Sequence, residues 1–387
     1  MLDILSITHT NPLDDSRLLK YRDTAEKMGI SYYSVGLDRG TNMGSDENTT
    51  LVELSTKPYV DKVVSRISKF RTICILIRFV YYFEASLKLI YAGLRHKPKV
   101  IHAHDWFVLP AALLINKFTR SKLIYDAHEL ESEANGVSPE LRFLALMIER
   151  ISWPRVDIFV TVSPSISDWY LEQFGKKESR IILNSPVTSS DSKEISAVEN
   201  DYFRSKFDIS KDSKIFLSLG AIEKGRGVEI LLEAFDQTDQ DVYLIFMGQG
   251  TLASLVRERS LKNKKILMHP QVPHALVTSI ASSADYGLCI IENVSLSDWL
   301  CLPNKLFEYA FAGLPVIASN FPELSRVTAE FSLGAWIEPT KDGLLSLLQN
   351  PADLPQRMIP TDFGIIEPLG WKSQERKIVE MYKSLLI

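Results

Sequence analysis

LCLPNKLFEYAFAGLPVIASN, running from Leu300 to Asn320, decides the fold class. Pro303 has the fixed φ that suits a first helical position. Gly313 and then Pro315 stop the helix, and PVIASN (Pro315 to Asn320) reads as a buried strand. With Pro303 opening the helix, Leu302 is its N-cap, and leucine has no oxygen to accept the first-turn N–H groups. Those donors need an outside acceptor, and at a strand–loop–helix junction the usual one is a phosphate. Lys305 adds positive charge at the same place. Glu308 lies one turn beyond Asn304 on the same face, where a carboxylate can hold a ribose diol. The candidate binding set from this stretch is Asn304, Lys305, Leu306 and Glu308. The competing reading is an ordinary amphipathic helix with a solvent-facing lysine and glutamate.

Working outward, a second junction of the same kind is LGAIEKGRGVEILLEAF (Leu219 to Phe235). Gly225 and Gly227 let the backbone approach a ligand closely, and Arg226 offers a planar fork matched to phosphate oxygens. Arg226 and Lys305 are expected to converge on one diphosphate. GQGTL (Gly248 to Leu252) is a third junction, with N–H groups at Gly248 and Gly250 near a sugar or base; plain turn chemistry explains its glycines equally well.

The same alternation of apolar strand and helix fills the chain. LDILSIT (Leu2 to Thr8), SYYSVGL (Ser31 to Leu37), VIHAHD (Val100 to Asp105), KLIYDAHE (Lys122 to Glu129), DIFVTVS (Asp157 to Ser163) and RIILNSP (Arg180 to Pro186) are the strands of the first half, with a helix over Ser16 to Met28. The polar, serine-rich run Asn184 to Asn200 reads as a connection. The alternation restarts with KIFLSLGA (Lys214 to Ala221), VYLIFMG (Val242 to Gly248), ILMHPQV (Ile266 to Val272), YGLCIIE (Tyr286 to Glu292), PVIASN and AWIEP (Ala335 to Pro339). Continuous apolar strands alternating with helices predict parallel sheets covered on both faces: an α/β protein with two doubly wound, Rossmann-like domains. From Trp371 an amphipathic helix carries Ile378, Met381, Tyr382, Leu385 and Leu386 on one stripe.

Composition agrees. The chain has 387 residues, 45% hydrophobic and 24% charged, enough to bury two cores. A net charge of −4 excludes a general affinity for nucleic acid. Cys74, Cys289 and Cys301 are too few and scattered for a disulfide framework or a zinc site, and fit a reducing, cytoplasmic setting. MLDILSITHT lacks the basic and cleavage regions of a signal peptide, and no apolar stretch is long enough to span a membrane. Between Asp61 and Lys99, nine cations interleave with dense apolar and aromatic positions, against only Asp61 and Glu84. Such a helical pair can lie on an anionic membrane surface; a core helix with a basic edge is the plainer reading.

GAIEKGRGVEILLEAF paired with PNKLFEYAFAGLPVIAS resembles the C-terminal domain of glycosyltransferase family 4, the glycosyl transferases group 1 family. NPLDDSR (Asn11 to Arg17), IHAHDW (Ile101 to Trp106), YDAHEL (Tyr125 to Leu130), TVSPSI (Thr161 to Ile166), ILNSPV (Ile182 to Val187) and Trp371 before a terminal helix are similar to that family's signposts in the same order. The resemblance covers nearly the whole chain. It implies the GT-B architecture, two Rossmann-like domains facing a cleft. The acceptor-side domain would span 1–186 and the nucleotide-sugar domain 187–370, with helix 371–387 crossing back to the first.

The resemblance further implies retaining transfer from a nucleoside-diphosphate sugar, a UDP-sugar favoured over a GDP-sugar, to a carbohydrate or lipid-linked acceptor. A nucleotide-sugar 2-epimerase and a non-catalytic sugar-nucleotide-binding subunit are the rivals. Two departures stand out. Many members carry two glutamates with seven residues between them; the second matches Glu308, but Leu300 stands at the first, eight positions earlier. Asp298, or N–H groups of the loop Asn293 to Leu302, are the replacements to consider. LDDSR replaces the usual glycine-rich acceptor loop, making Asp15, Ser16 and Arg17 the acceptor candidates together with Glu129.

His128 ends a strand, which is the binding edge of such a sheet. By resemblance its imidazole faces the donor sugar and the reacting centre; a histidine bonded to a backbone carbonyl is the alternative. Asp105, ending the preceding strand, is the partner candidate for an acceptor hydroxyl, or else an N-cap for the helix at Trp106. His104 is a weaker candidate. DQD (Asp239 to Asp241) spells a metal-binding D-x-D, but it precedes a strand, away from the binding edge, and reads as a turn. With Arg226, Lys305 and a helix N-terminus available to the leaving diphosphate, no divalent ion is expected.

Overall fold

The computed structural model describes residues 1–38, 46–55, 71–187, 201–350, 353–356 and 363–386. The chain forms two compact units, Met1–Ile182 with Glu375–Ile387, and Leu183–Gln374. Most of the expected connection, residues 188–200, lies outside the described residues.

The first unit is built on β1 (Ile4–Ile7), β2 (Tyr32–Leu37), β3 (Thr49–Val52), β4 (Val100–His104), β5 (Lys122–Ala127), β6 (Ile158–Thr161) and β7 (Ser179–Ile181). They form one seven-stranded sheet in the order β3-β2-β1-β4-β5-β6-β7. Every pairing is parallel. Helices α1 (Ser16–Lys27), α2 (Arg71–Leu94), α3 (Leu109–Thr119), α4 (Pro139–Ser152) and α5 (Pro164–Phe174) cover it. Strands β1, β4 and β6 are buried at every position, which is what continuous apolar runs predict. Strand β3 escaped the sequence reading. It is a four-residue edge strand, TTLV, half-exposed at three positions, so it carries no apolar run.

The second unit contains β8 (Lys214–Leu219), β9 (Val242–Met247), β10 (Ile266–His269), β11 (Tyr286–Cys289), β12 (Val316–Ser319) and β13 (Gly334–Ile337). Their order is β10-β9-β8-β11-β12-β13, again all parallel. Its helices are α6 (Tyr202–Phe207), α7 (Val228–Gln237), α8 (Ala253–Lys262), α9 (His274–Ala281), α10 (Leu296–Trp299), α11 (Asn304–Phe311), α12 (Pro322–Glu330), α13 (Lys341–Gln349) and α14 (Phe363–Ile366). Helix α15 (Trp371–Leu386) ends the described chain. From Glu375 on it belongs to the first unit, where Tyr382 Oη lies 3.0 Å from His102 Nδ1. In each sheet the strand order reverses once, between β1 and β4 and between β8 and β11. At such switch points the loops at the carboxyl ends diverge and leave room for a ligand.

A buried ion pair crosses the first unit. Arg17, in the first turn of α1, is 1% exposed and Asp126, in β5, is 0% exposed. The guanidinium donates from Nε at 3.1 Å and from Nη2 at 3.0 Å to the two carboxylate oxygens. Its Nη1 donates to the Ile182 carbonyl at 2.9 Å, and Tyr21 Oη donates to Asp126 at 2.8 Å. Arg17 therefore does not serve as the acceptor-binding residue expected from the sequence. Its charge is consumed inside the unit. Asp15 is likewise structural: its side chain accepts the N–H groups of Arg17 and Leu18 and caps α1, and Ser16 is the first residue of that helix.

Burial alone would raise the Asp126 pKa, but Arg17 and the neighbouring histidines hold it well below the usual carboxylate range. The stabilisation from this depressed pKa is fully present above about pH 4, the unfolded-state value, and is lost as pH falls toward the folded-state value. Arg17→Ala leaves a buried carboxylate without its counter-charge. Urea titration at neutral pH should show a loss of about 3–5 kcal/mol, and a loss under about 1 kcal/mol would reduce the pair to the rank of a surface contact.

Candidate functional site

The loops at the β1/β4 switch point gather the polar residues of the first unit. Asp105 follows β4 with φ 67° and ψ 160°, a region occupied almost only by glycine. It precedes the short turn Trp106–Val108, yet its side chain makes no capping bond there. Instead Oδ1 accepts the His128 backbone N–H at 3.2 Å, which sets aside the N-cap reading. Oδ2 lies 3.7 Å from His128 Nδ1 and 3.6 Å from His9 Nδ1.

His128 directly follows β5 and is 22% exposed. Its Nε2 lies 3.1 Å from His104 Nδ1 and 3.8 Å from Asp126, so its ring partners are side chains rather than a backbone carbonyl. His104 is fully buried; burial, and then His102, hold its pKa well below the usual value, so it stays neutral. The cluster thus runs from the Arg17–Asp126 pair through His104 to His128 and Asp105 at the sheet edge. Glu129 is exposed beside it.

Two members of this edge were missed in the sequence. His9 follows β1, and the rule that strand ends carry function would have found it. Glu131 sits in a short turn without a local signal. Burial, and then the Asp105 charge, raise its pKa above the usual carboxylate range. His9, Asp105 and Glu131 offer ligand atoms within 4.8 Å of one another, as do His102, His104 and Asp126. In the second group Arg17 already supplies the positive charge; the first is the set with the chemistry to hold a cation. Beside it a cavity of about 230 Å³ is walled by Tyr81, Tyr82, Trp106 and Phe107, with His9, Leu37 and Glu131 completing it. Tyr82 and Phe107 have ring centroids 4.6 Å apart. Aromatic faces with a few polar groups suit a sugar ring or another apolar-faced substrate group.

In the second unit the candidates collect at the β8/β11 switch point. Gly225 and Gly227 have φ 85° and 73°, and a Cβ on Gly227 would come within 2.7 Å of Ile290. Gly227 N–H donates to Glu292 and Glu292 N–H to the Gly225 carbonyl, which ties the GRG turn to the loop after β11. Arg226, at 38% exposed, reaches Asp298 at 3.6 Å. Lys305 lies half-buried in the first turn of α11, with Nζ 3.5 Å from the Ile290 carbonyl. Burial lowers its pKa, with the nearby Arg226 charge acting in the same direction. Two cations are therefore held close together at a helix start.

The structure corrects that helix start by one residue. Pro303 is the N-cap and α11 begins at Asn304; proline, like leucine, offers no capping oxygen. Asn304 is exposed, Leu306 is buried, and Glu308, 8% exposed, has its carboxylate 3.5 Å from His274 Nδ1.

Other expectations change. A Cβ on Gly248 would overlap the Gly220 carbonyl, and one on Gly250 would lie 2.3 Å from the Ile222 carbonyl. These glycines let two loops of the same unit touch, and the Gly248 N–H is given to His269. They are packing residues before they are donor-binding ones. Five amides of the loop Asn293 to Leu302 are used locally: those of Val294, Trp299, Leu300 and Cys301 bond carbonyls, and that of Asp298 bonds Ser295 Oγ. Asp298, the side-chain replacement considered for the residue at Leu300, is 8% exposed and beside Arg226.

Residues 199–361 match the family model described as Glycosyl transferases group 1, and residues 50–185 match Glycosyltransferase Family 4. The chain is 25% identical over 257 residues to a chitobiosyldiphosphodolichol beta-mannosyltransferase of Kluyveromyces lactis, covering 58% of this chain and 56% of that one. It is 23% identical over 249 residues to the putative colanic acid biosynthesis glycosyl transferase WcaI of Escherichia coli, covering 60% of each. The chain thus spans little more than half the length of these curated relatives. Among solved structures, Anabaena Alr3699/HepE in complex with UDP-glucose superposes with a TM-score of 0.71 at 11% identity, over 99% of this chain and 100% of that one. The chain belongs to the group 1, family 4 glycosyltransferases, and its two parallel-sheet units have the GT-B fold.

The backbone at Asp105 separates strain from chemistry. Asp105→Ala and Asp105→Gly both lose the carboxylate, but only glycine sheds the unfavourable φ and ψ. Asp105→Gly is expected to be the more stable of the two by about 1–3 kcal/mol in denaturant titration. Equal stability would mean that the loop relaxes without cost.

Proposed function

We propose that this protein transfers a sugar from a nucleoside-diphosphate sugar to an acceptor hydroxyl, with retained configuration, in the synthesis of a surface polysaccharide or glycolipid. The observation that carries the donor assignment is that Lys305, at the start of α11, and the GRG turn that holds Arg226 both meet Ile290, at a helix whose N-cap is a proline. Two cations and unsatisfied helix N–H groups at a switch point call for an anion, and a diphosphate satisfies both. Glu308, on the same helix, suits the ribose diol. A UDP-sugar is favoured over a GDP-sugar, as the HepE complex with UDP-glucose supports. The lipid-linked and polysaccharide wording of the relatives' names supports the acceptor class. We place the activity in the cytoplasm or at the inner face of the membrane.

In this reading the second unit holds the donor, and the first supplies the groups that act on sugar and acceptor. The acceptor oxygen forms a bond to the anomeric carbon as the bond to the diphosphate breaks. The acceptor proton passes to the leaving phosphate oxygen, and His128 steadies the charge that develops on the sugar. Arg226, Lys305 and the α11 N-terminus stabilise the leaving diphosphate without a divalent ion. One observation favours a second stereochemical reading. Asp105 is held at strained backbone angles beside His9 and Glu131; as a general base it would take the acceptor proton and invert the product. The relative named a beta-mannosyltransferase keeps that reading in view. The anomeric configuration of the product, read by NMR, decides between them.

Arg226→Ala and Lys305→Ala should each weaken nucleoside-diphosphate binding about tenfold or more in calorimetry, the cost of a charge-assisted hydrogen bond. Unchanged affinity in both would remove the donor site from this edge. His128→Ala should keep that affinity within a few-fold while turnover falls by on the order of a hundredfold. Turnover in excess EDTA should match turnover in added magnesium or manganese; restoration by either ion would overturn the metal-free account and point to His9, Asp105 and Glu131.

A further inference from the structure

The outer surface of the first unit inverts the usual pattern of a helix layer. Helix α2 packs on α3, and α3 on α4, forming one continuous layer over the sheet. Helices of this kind normally turn charged residues to water. On α2 the exposed large apolar side chains are Val80, Phe83, Leu87 and Tyr91, one stripe of the helix, with Tyr91 65% exposed. On α3 they are Leu114 and Phe118, and on α4 Phe143, Met147 and Ile151; Phe118 and Phe143 are each 69% exposed. Helix α4 is turned inside out: its buried residues are Ala145, Glu149 and Ser152.

The cations that accompany this face outnumber its carboxylates, and one of them, Arg142, is paired with Glu133 at 2.7 Å. Lys117, Arg120, Arg142 and Arg150 are exposed on α3, on α4 and at the α3 C-cap, and Arg95 follows α2. The carboxylates of the same helices are withdrawn from water. Glu84 is half-buried beside Lys88 at 2.7 Å, Glu140 is half-buried, and Glu149 is buried between two tyrosines. Arg95 lies over the Tyr91 ring at 4.8 Å, an apolar body with a charged tip. Monomeric proteins rarely expose an apolar surface spread across three helices.

We propose that the α2–α3–α4 face docks the protein on an anionic lipid leaflet. The apolar stripes enter the headgroup boundary, and the cations meet lipid phosphates. Charge selects this occupant over a second copy of the chain. A two-fold interface sets like patches against each other, and a patch that bears Arg95, Lys117, Arg120 and Arg150, with no exposed carboxylate on the described residues of its three helices, repels itself. No helix among the described residues is long and apolar enough to cross a membrane, so the contact is with the surface. The basic run read from the sequence contributes only in part. Lys62, Arg66 and Lys69 lie outside the described residues, as do the side chains of Arg71 and Arg78, whereas α3 and α4 carry no sequence signal of this kind.

Helix α2 also supplies Tyr81 and Tyr82 to the aromatic cavity, between the exposed Val80 and Phe83. Resting on the glycosyltransferase reading, this adjacency assigns that cavity to the head of a lipid-linked acceptor whose tail stays in the leaflet.

Sedimentation with vesicles of equal phosphatidylglycerol and phosphatidylcholine tests the docking without any substrate. Most of the protein should pellet with these vesicles at low salt and stay in the supernatant with pure phosphatidylcholine, and binding should weaken as salt rises toward about 0.5 M. Phe118→Glu/Phe143→Glu should cut vesicle partitioning at least tenfold, with an unchanged thermal midpoint and unchanged transfer to a water-soluble acceptor. Equal recovery from both kinds of vesicle would overturn the proposal. So would a dimer in lipid-free solution that the double variant dissociates, since a second copy would then cover the face. Either result leaves donor binding and transfer as separate measurements, so failure of docking is distinguishable from failure of the enzymatic reading.

Discussion

The Arg17–Asp126 pair is the constraint on which the first unit depends. Two charges taken out of water are tolerated only with near-complete hydrogen bonding, and here the carboxylate has a bidentate guanidinium and a tyrosine hydroxyl. Meeting that demand fixes the first turn of α1 against the end of β5 and, through the Ile182 carbonyl, the chain beyond β7. It also fixes the chemistry next door. His102 and His104 stack at 4.2 Å beside Asp126, and burial lowers the pKa of both. His104 Nδ1 lies 3.1 Å from His128 Nε2, which ties the half-exposed imidazole to the core.

The second unit has no such buried pair at its binding edge, and its electrostatics run the other way. Arg226 stands beside Asp298, which is held by Ser295 at 2.6 Å, and Glu308 follows Lys305 on the same helix. The first unit pairs its charge in the core; the second holds two cations at a helix start whose N-cap is a proline. That contrast is why an anionic donor is assigned to one and group-orienting chemistry to the other.

Much of the fold was legible because parallel strands buried on both faces read as continuous apolar runs. What escaped was whatever depended on partners distant in sequence. Arg17 looks like a surface cation at a helix start; nothing local says that a carboxylate 109 residues later will swallow it. Gly248 and Gly250 read as ligand-approach glycines, but the approach is made by the loop at Gly220 and Ile222. The place of His128 and Asp105 at the sheet edge was legible from the strand-end rule; the role expected of His128 rested on the family resemblance. Their contacts with His104 and His9 depend on burial and distant partners, which a sequence does not display. The glutamate absent at Leu300 leaves a carboxylate nearby at Asp298, two positions earlier and reoriented by the short helix α10.

The inside-out packing of α4 follows from the same physics as the ion pair. Glu149 points inward and accepts from Tyr125 and Tyr170 at 2.6 Å each; burial pushes its pKa up to about 7. Glu149, Ala145 and Ser152 take the buried positions of α4, Leu141, Leu144 and Ile148 are half-buried, and Phe143, Met147 and Ile151 face outward. Hydrophobic periodicity cannot reveal this, because it reports that an apolar stripe exists and not which side of the helix the core takes. The cost of exposing that stripe to water is offset only when something apolar covers it. The buried glutamate and the exposed phenylalanine are thus two sides of one helix: the polar contacts of Glu149 with Tyr125 and Tyr170 fix which side of α4 faces the sheet, and Phe143 lies on the other.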